Sequence, residues 1–146
     1  MEAVICDTVH GRDEFAALPD GLKKRFICDA RATVAVQSKR SEDFARIYRT
    51  IREKGLSPLV VKGISCRRLW KNPDARPSGD EDLLIRPEWL GDVLAVMEEN
   101  GFAVSREGDV VCYSPLSGLT VEIHTSLFPT DSEYFSGFNG CFDRGF

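Results

Sequence analysis

Alternation organises the second half of this chain. From Asp80 the order is three acids and then Leu83-Leu84-Ile85, so an extended strand there sets Asp80 and Asp82 on one side and Glu81 on the other. Leu119 to His124 predicts another strand, with Glu122 and His124 sharing a face. Phe102 to Arg106 and Asp109 to Tyr113 predict a hairpin turning at Glu107-Gly108, and Ser117-Gly118 marks a further turn. Pro58 to Val61 is a short apolar run of the kind that forms a buried strand.

A helical period governs the first half. Leu22, Phe26, Ala30 and Val34 recur at every fourth position, and Phe44, Ile47, Tyr48 and Ile51 then share one face before Gly55. Ser41 followed by Glu42 and Asp43 suits a cap and first turn, so the expectation is two helices broken near Ser38 to Ser41. Cys66 to Trp70 predicts a short helix, Asn72 to Gly79 a loop, and Pro87 the start of a helix that runs through Met97 and stops at Asn100-Gly101. Together these give an α/β (α+β) fold, a mixed β-sheet flanked by helices with a long N-terminal helical segment.

A length of 146 residues with 42% hydrophobic content fits one domain that needs no disulfides. It divides into a helical lead (1–55), a core (56–128) and an aromatic tail (129–146). A net charge of −4 leaves no bulk basic footprint, so a nucleic-acid partner is not favoured. Five cysteines without CxxC spacing suit a reducing cytoplasm and read as buried or incidental thiols. No apolar run approaches membrane-spanning length and Met1 to Asp7 has no secretory pattern, so the expected location is cytoplasmic. The tail carries Tyr134, Phe135, Phe138, Phe142 and Phe146, which water does not favour. It calls for a cover: the chain's own core, a homodimer interface, or a missing C-terminal helical partner.

The candidate chemistry lies in the strands. Asp80, Asp82 and Glu122 on neighbouring strands suggest a divalent metal site, because close carboxylates repel unless a cation or proton is shared between them. Magnesium suits such oxygen donors together with substrate phosphates. Gly63 and Ser65 sit where a strand turns into a helix, a place where free backbone N–H groups hold phosphates. Lys62 and Arg76 are available to neutralise the phosphates, whereas Arg67 and Arg68 read as ordinary surface charges on the short helix. His124 shares the strand face of Glu122.

In order and spacing, Leu59 to Gly63 (LVVKG), Arg76 to Ile85 (RPSGDEDLLI) and Val121 to His124 (VEIH) resemble the motifs of polymerase-beta-like nucleotidyltransferases. Within that superfamily they look like the branch of uncharacterised bacterial nucleotidyltransferases, written lKG, R…DiDlLv and vdlHw. The resemblance implies a two-metal Mg²⁺ site on Asp80 and Asp82, with Glu122 as third carboxylate and general base. It also implies phosphate contacts from Gly63 and Ser65, with Lys62, Arg76 and His124 beside the nucleotide. The implied reaction moves a nucleoside monophosphate from an NTP, with ATP the expected one, to an acceptor hydroxyl or phosphate. Two departures stand out. Glu81 replaces an apolar residue on the face that should pack against helices, and relatives continue into a helical region beyond this point. A truncated chain, or a catalytically inactive nucleotide-binding or assembly protein of the same fold, is therefore the alternative.

Overall fold

Leu83 and Ile85 pointing one way and Asp80 and Asp82 the other give their strand an apolar and an acidic face, and the rest of the fold is arranged around that division. The computed structural model describes residues 2–126, Phe128, 132–135 and 137–138. Helices α1 (Glu2–Val9), α2 (Asp13–Ala16) and α3 (Asp20–Glu53) lead into β1 (Leu59–Val60) and the one-turn α4 (Ile64–Arg67). Strand β2 (Asp80–Leu84), α5 (Leu90–Glu99), β3 (Ala103–Ser105), β4 (Val110–Tyr113) and β5 (Thr120–His124) follow, with 3₁₀ turns at Pro73–Ala75 and Pro87–Trp89.

The sheet runs in the order β1-β2-β5-β4-β3 and is mixed, as the sequence predicts. Among the described residues only β2 and β5 pair in parallel, and their register sets Asp82 beside Glu122 and Leu84 beside His124. One face is closed by α3 and α5: Phe44, Ile47 and Ile51 from α3 and Val93 and Met97 from α5 meet Leu83, Ile85, Val121 and Ile123. Ile47 and Ile51 have no exposed surface, and burying a side chain of that kind contributes about 1.5–3 kcal/mol. The other face carries Asp80, Asp82, Glu122 and His124.

The expected break near Ser41 does not occur, and α3 is one helix of 34 residues. Ser41 does not cap a new helix; its hydroxyl donates back to the Gln37 carbonyl and to Asp74 Oδ1, both at 2.9 Å. Ser38 likewise donates to Asp74 Oδ2 at 2.6 Å. The Asp74 carboxylate, from the 3₁₀ turn, thus engages both hydroxyls along an unbroken helix. Among the described residues, no helix is long and apolar enough to cross a membrane. In the tail, Phe128 stacks on Phe135 with ring centroids 5.6 Å apart, while Tyr134 is 82% exposed. Phe142, Phe146 and Cys141 lie outside the described residues.

Candidate functional site

Asp82 is the centre of the acidic face. Its side chain is 1% exposed, and its Oδ1 lies 2.9 Å from Lys62 Nζ and 3.1 Å from His124 Nε2. Glu122 Oε2 is 3.6 Å from the same imidazole nitrogen. Asp82, Glu122 and His124 each offer a ligand atom, all within 4.8 Å of one another. The parallel pairing of β2 and β5 brings this about, since it places Asp82 level with Glu122 and one pleat from His124.

Asp80 stands at the start of β2, opposite Thr120, half-buried and outside that three-residue group. It remains within electrostatic reach of Lys62. The hydrogen bond and charge of Asp82, followed by Glu122 and Asp80, hold the Lys62 ammonium above its ordinary value despite the burial that opposes it. Three carboxylates therefore surround one cationic group. The donors fit a divalent cation: two carboxylates are the hard oxygen ligands that Mg²⁺ and Mn²⁺ take, and the imidazole adds a nitrogen more usual for transition ions. The position of Lys62 Nζ marks where positive charge is favourable.

The turn at Gly63 to Ser65 is arranged differently from the expectation of free backbone donors. The Ile64 N–H donates to Glu81 Oε2, the Ser65 N–H donates to the Lys62 carbonyl at 3.1 Å, and the Ser65 hydroxyl donates to the Val60 carbonyl at 3.2 Å. Gly63 is required here. Its φ is +57°, and a Cβ would collide with the Glu81 carboxylate and lie 3.1 Å from the Asp80 carbonyl oxygen. Arg76 sets its guanidinium 6.0 Å from the Trp70 ring centroid, at the end of the 3₁₀ turn.

Arg67 is the residue that sequence reasoning misplaced. It is fully buried, donates to Glu81 Oε1, and reaches Ser41 Oγ at 3.0 Å and Asp74 Oδ1 at 3.4 Å. Glu81 thus has a partner on the helix-packed face, which explains a charge between the two aspartates. Burial pushes the Glu81 carboxyl up, against the Ile64 N–H and Arg67, which favour its ionised form. Arg68, the neighbour, is exposed as expected. The signal for the pair was present in the chain, because an acid facing a helical layer demands a buried base, but nothing local says which arginine supplies it.

A family model described as an uncharacterised nucleotidyltransferase matches residues 2–145. No curated protein and no solved structure matches the chain.

Proposed function

This chain belongs to the uncharacterised nucleotidyltransferase family, and on that premise we propose that it moves a nucleoside monophosphate from an NTP to the hydroxyl or phosphate of an acceptor, with Mg²⁺. The observation that carries the reading is the convergence of Asp82, Glu122 and His124 beside Lys62 and the Gly63 turn. Asp82 and Glu122 would hold the metal, with Asp80 at the rim and His124 completing the donors. A bound ion there supplies charge neutralisation at the phosphate oxygens.

The chain's own groups supply the rest. Glu122 is 30% exposed, open enough to accept a proton from an incoming hydroxyl. Lys62, 66% exposed at its side chain, is free to swing from Asp82 to a phosphate oxygen when a cation takes its place. Arg76 is the further cation proposed for the phosphates, and Gly63 and Ser65 would let the backbone come close to them. ATP is the expected nucleotide, and the cytoplasm the expected location.

A second reading has one observation in its favour. Lys62 already neutralises Asp82, which suits a protein that keeps the fold and nucleotide affinity for binding or assembly without turnover. Calorimetric titration of the four NTPs with and without Mg²⁺, on the wild type and on Asp82→Asn, tests the site. Magnesium-dependent binding that Asp82→Asn abolishes supports it, and consumption of the bound NTP then separates the enzyme from the binder. Undiminished binding by Asp82→Asn would remove Asp82 from the site.

A further inference from the structure

Behind the segment that carries Lys62, the structure holds a second concavity. Helices α3 and α4 and strand β1 line a half-open cavity of about 450 Å³, its walls including Phe44, Tyr48 and Val60 together with Arg49, Arg52 and Arg68. Arg49 and Arg52 stand three apart on α3 and so share a helix face. Arg68 caps the end of α4, whose other end is the Gly63 turn. Within this segment Lys62 reaches Asp82, while Ser65 and Arg68 line the cavity, whose lining includes neither Lys62 nor Asp82.

These three arginines differ from their neighbours. Arg46, one turn earlier on α3, is engaged by Asp43 and Asn100, and Arg67 is engaged by Glu81 and Asp74. Arg49, Arg52 and Arg68 make no ion pair or side-chain hydrogen bond among the described residues. Composition does not force this, since the chain has 23 acids against 19 lysines and arginines. Like charges gathered at one concavity repel each other, and an anion relieves that repulsion. The planar five-donor fork of arginine matches the oxygens of a phosphate. Apolar walls strengthen such contacts by lowering the local dielectric and give an apolar body something to pack on.

We propose that this cavity is a second anion site, distinct from the carboxylate cluster, which takes a phosphate monoester with an apolar or planar body and needs no metal. The arginines hold the phosphate oxygens, and Phe44, Tyr48 and Val60 receive the body of the ester. Free phosphate shares the first half of that chemistry and lacks the second.

The test is equilibrium binding of phenyl phosphate and of inorganic phosphate, without divalent metal. It uses the wild type, Arg49→Gln/Arg52→Gln, Arg68→Gln and Asp82→Asn, with far-UV circular dichroism to confirm folding. The expected result is that phenyl phosphate binds more tightly than inorganic phosphate. The double variant should lose at least about tenfold in affinity, the scale of one charge-assisted hydrogen bond. Arg68→Gln should also weaken binding, and Asp82→Asn should retain it. Equal affinity for both probes would overturn the ester assignment. Binding unaffected by all three arginine substitutions, binding lost only in Asp82→Asn, or no binding of either probe would overturn the site. Because no metal or NTP is present, these outcomes do not depend on the nucleotidyl-transfer reading.

Discussion

Arg67 and Glu81 form a fully buried ion pair between α4 and β2, with side chains 0% and 2% exposed. Glu81 also accepts the Ile64 N–H, so one carboxylate ties the turn after β1 to the strand that carries Asp82. The Gly63 turn and the acidic face are thereby held as one unit. Removing the carboxylate with Glu81→Ala leaves an arginine buried with only Asp74 and Ser41, and should cost about 3–5 kcal/mol of stability. A double change to Arg67→Met/Glu81→Leu should recover much of it. Urea unfolding measures both, and a loss of less than about 1 kcal/mol in Glu81→Ala would mean that the pair is not a structural tie.

Gly63 adds a conformational demand to the same tie. Gly63→Ala meets both a positive φ and the Glu81 carboxylate, and should destabilise by about 1–3 kcal/mol. Gly79→Ala is the control, because a Cβ there meets nothing within 4 Å; it should shift stability by no more than about 0.5 kcal/mol. Equal melting temperatures for the two variants would contradict the geometry of the turn.

The strands were legible in the sequence because period-two alternation is set by the backbone itself. Asp80 to Leu84 and Thr120 to His124 fall within their expected runs, and the hairpin turns at Gly108, whose φ is +86°. Two of the readings that failed show long-range contacts outweighing local preference. Ser38 and Ser41 carry the composition of a helix break, yet Asp74, more than thirty residues away, engages both hydroxyls and the helix continues. Arg67 looks like its exposed neighbour Arg68 until the fold sets Glu81 against it. The sequence suggests Asp80, Asp82 and Glu122 as a group of carboxylates with His124 on the same face as Glu122, whereas the structure gathers Asp82, Glu122 and His124. The parallel register that brings Asp82 level with Glu122 and leaves Asp80 at the rim comes from the topology.

Asp43 joins the long helix to the turn between β4 and β5. Its Oδ2 accepts the hydroxyls of Ser114 at 2.8 Å and Ser117 at 2.6 Å, and its Oδ1 accepts Arg46 at 2.6 Å. Burial pushes the Asp43 carboxyl up, but Ser117, Arg46 and Ser114 together outweigh it and hold it below the ordinary carboxylate range. A depressed carboxylate gives stability that is complete above its unfolded value, about 3.9, and is lost as pH falls through the folded value. Asp43→Ala should therefore cost about 1–3 kcal/mol at neutral pH, leaving the Ser114 hydroxyl unpaired. The difference from wild type should shrink on acidification below about pH 4. A difference in urea midpoint that does not change with pH would show that the lost interaction is not ionic.

On the proposed reading, a divalent cation would compete with Lys62 for Asp82 Oδ1. Lys62→Met removes the built-in positive charge and leaves the carboxylate of Asp82, 1% exposed, with His124 as its remaining hydrogen-bond partner. In the absence of nucleotide, Mn²⁺ should bind this variant several-fold more tightly than wild type, as followed by electron paramagnetic resonance. If Lys62 contacts the phosphates as proposed, NTP affinity should fall in the same variant. Unchanged Mn²⁺ affinity would place the ion away from Asp82.

Cys112 lies on β4 with no exposed surface. Burial, reinforced by Glu98 and opposed by Arg106, pushes its thiol up to about 11, whereas Cys28 and Cys66 are exposed. The thiolate is the species that reacts. At pH 8 iodoacetamide should therefore modify Cys28 and Cys66 in the native protein and reach Cys112 only after unfolding. The same shift sets an alkaline limit. A thiol raised in the folded state costs nothing below its unfolded value, but between 9.0 and about 11 the unfolded chain ionises first and stability declines. Cys112→Ala should abolish that part of the decline while losing some core packing. Mass spectrometry of time-resolved alkylation checks the first point and urea midpoints from pH 8 to 10 the second. Modification of Cys112 at the rate of Cys66 would mean that the β3–β4 hairpin opens locally, well below the free energy of global unfolding.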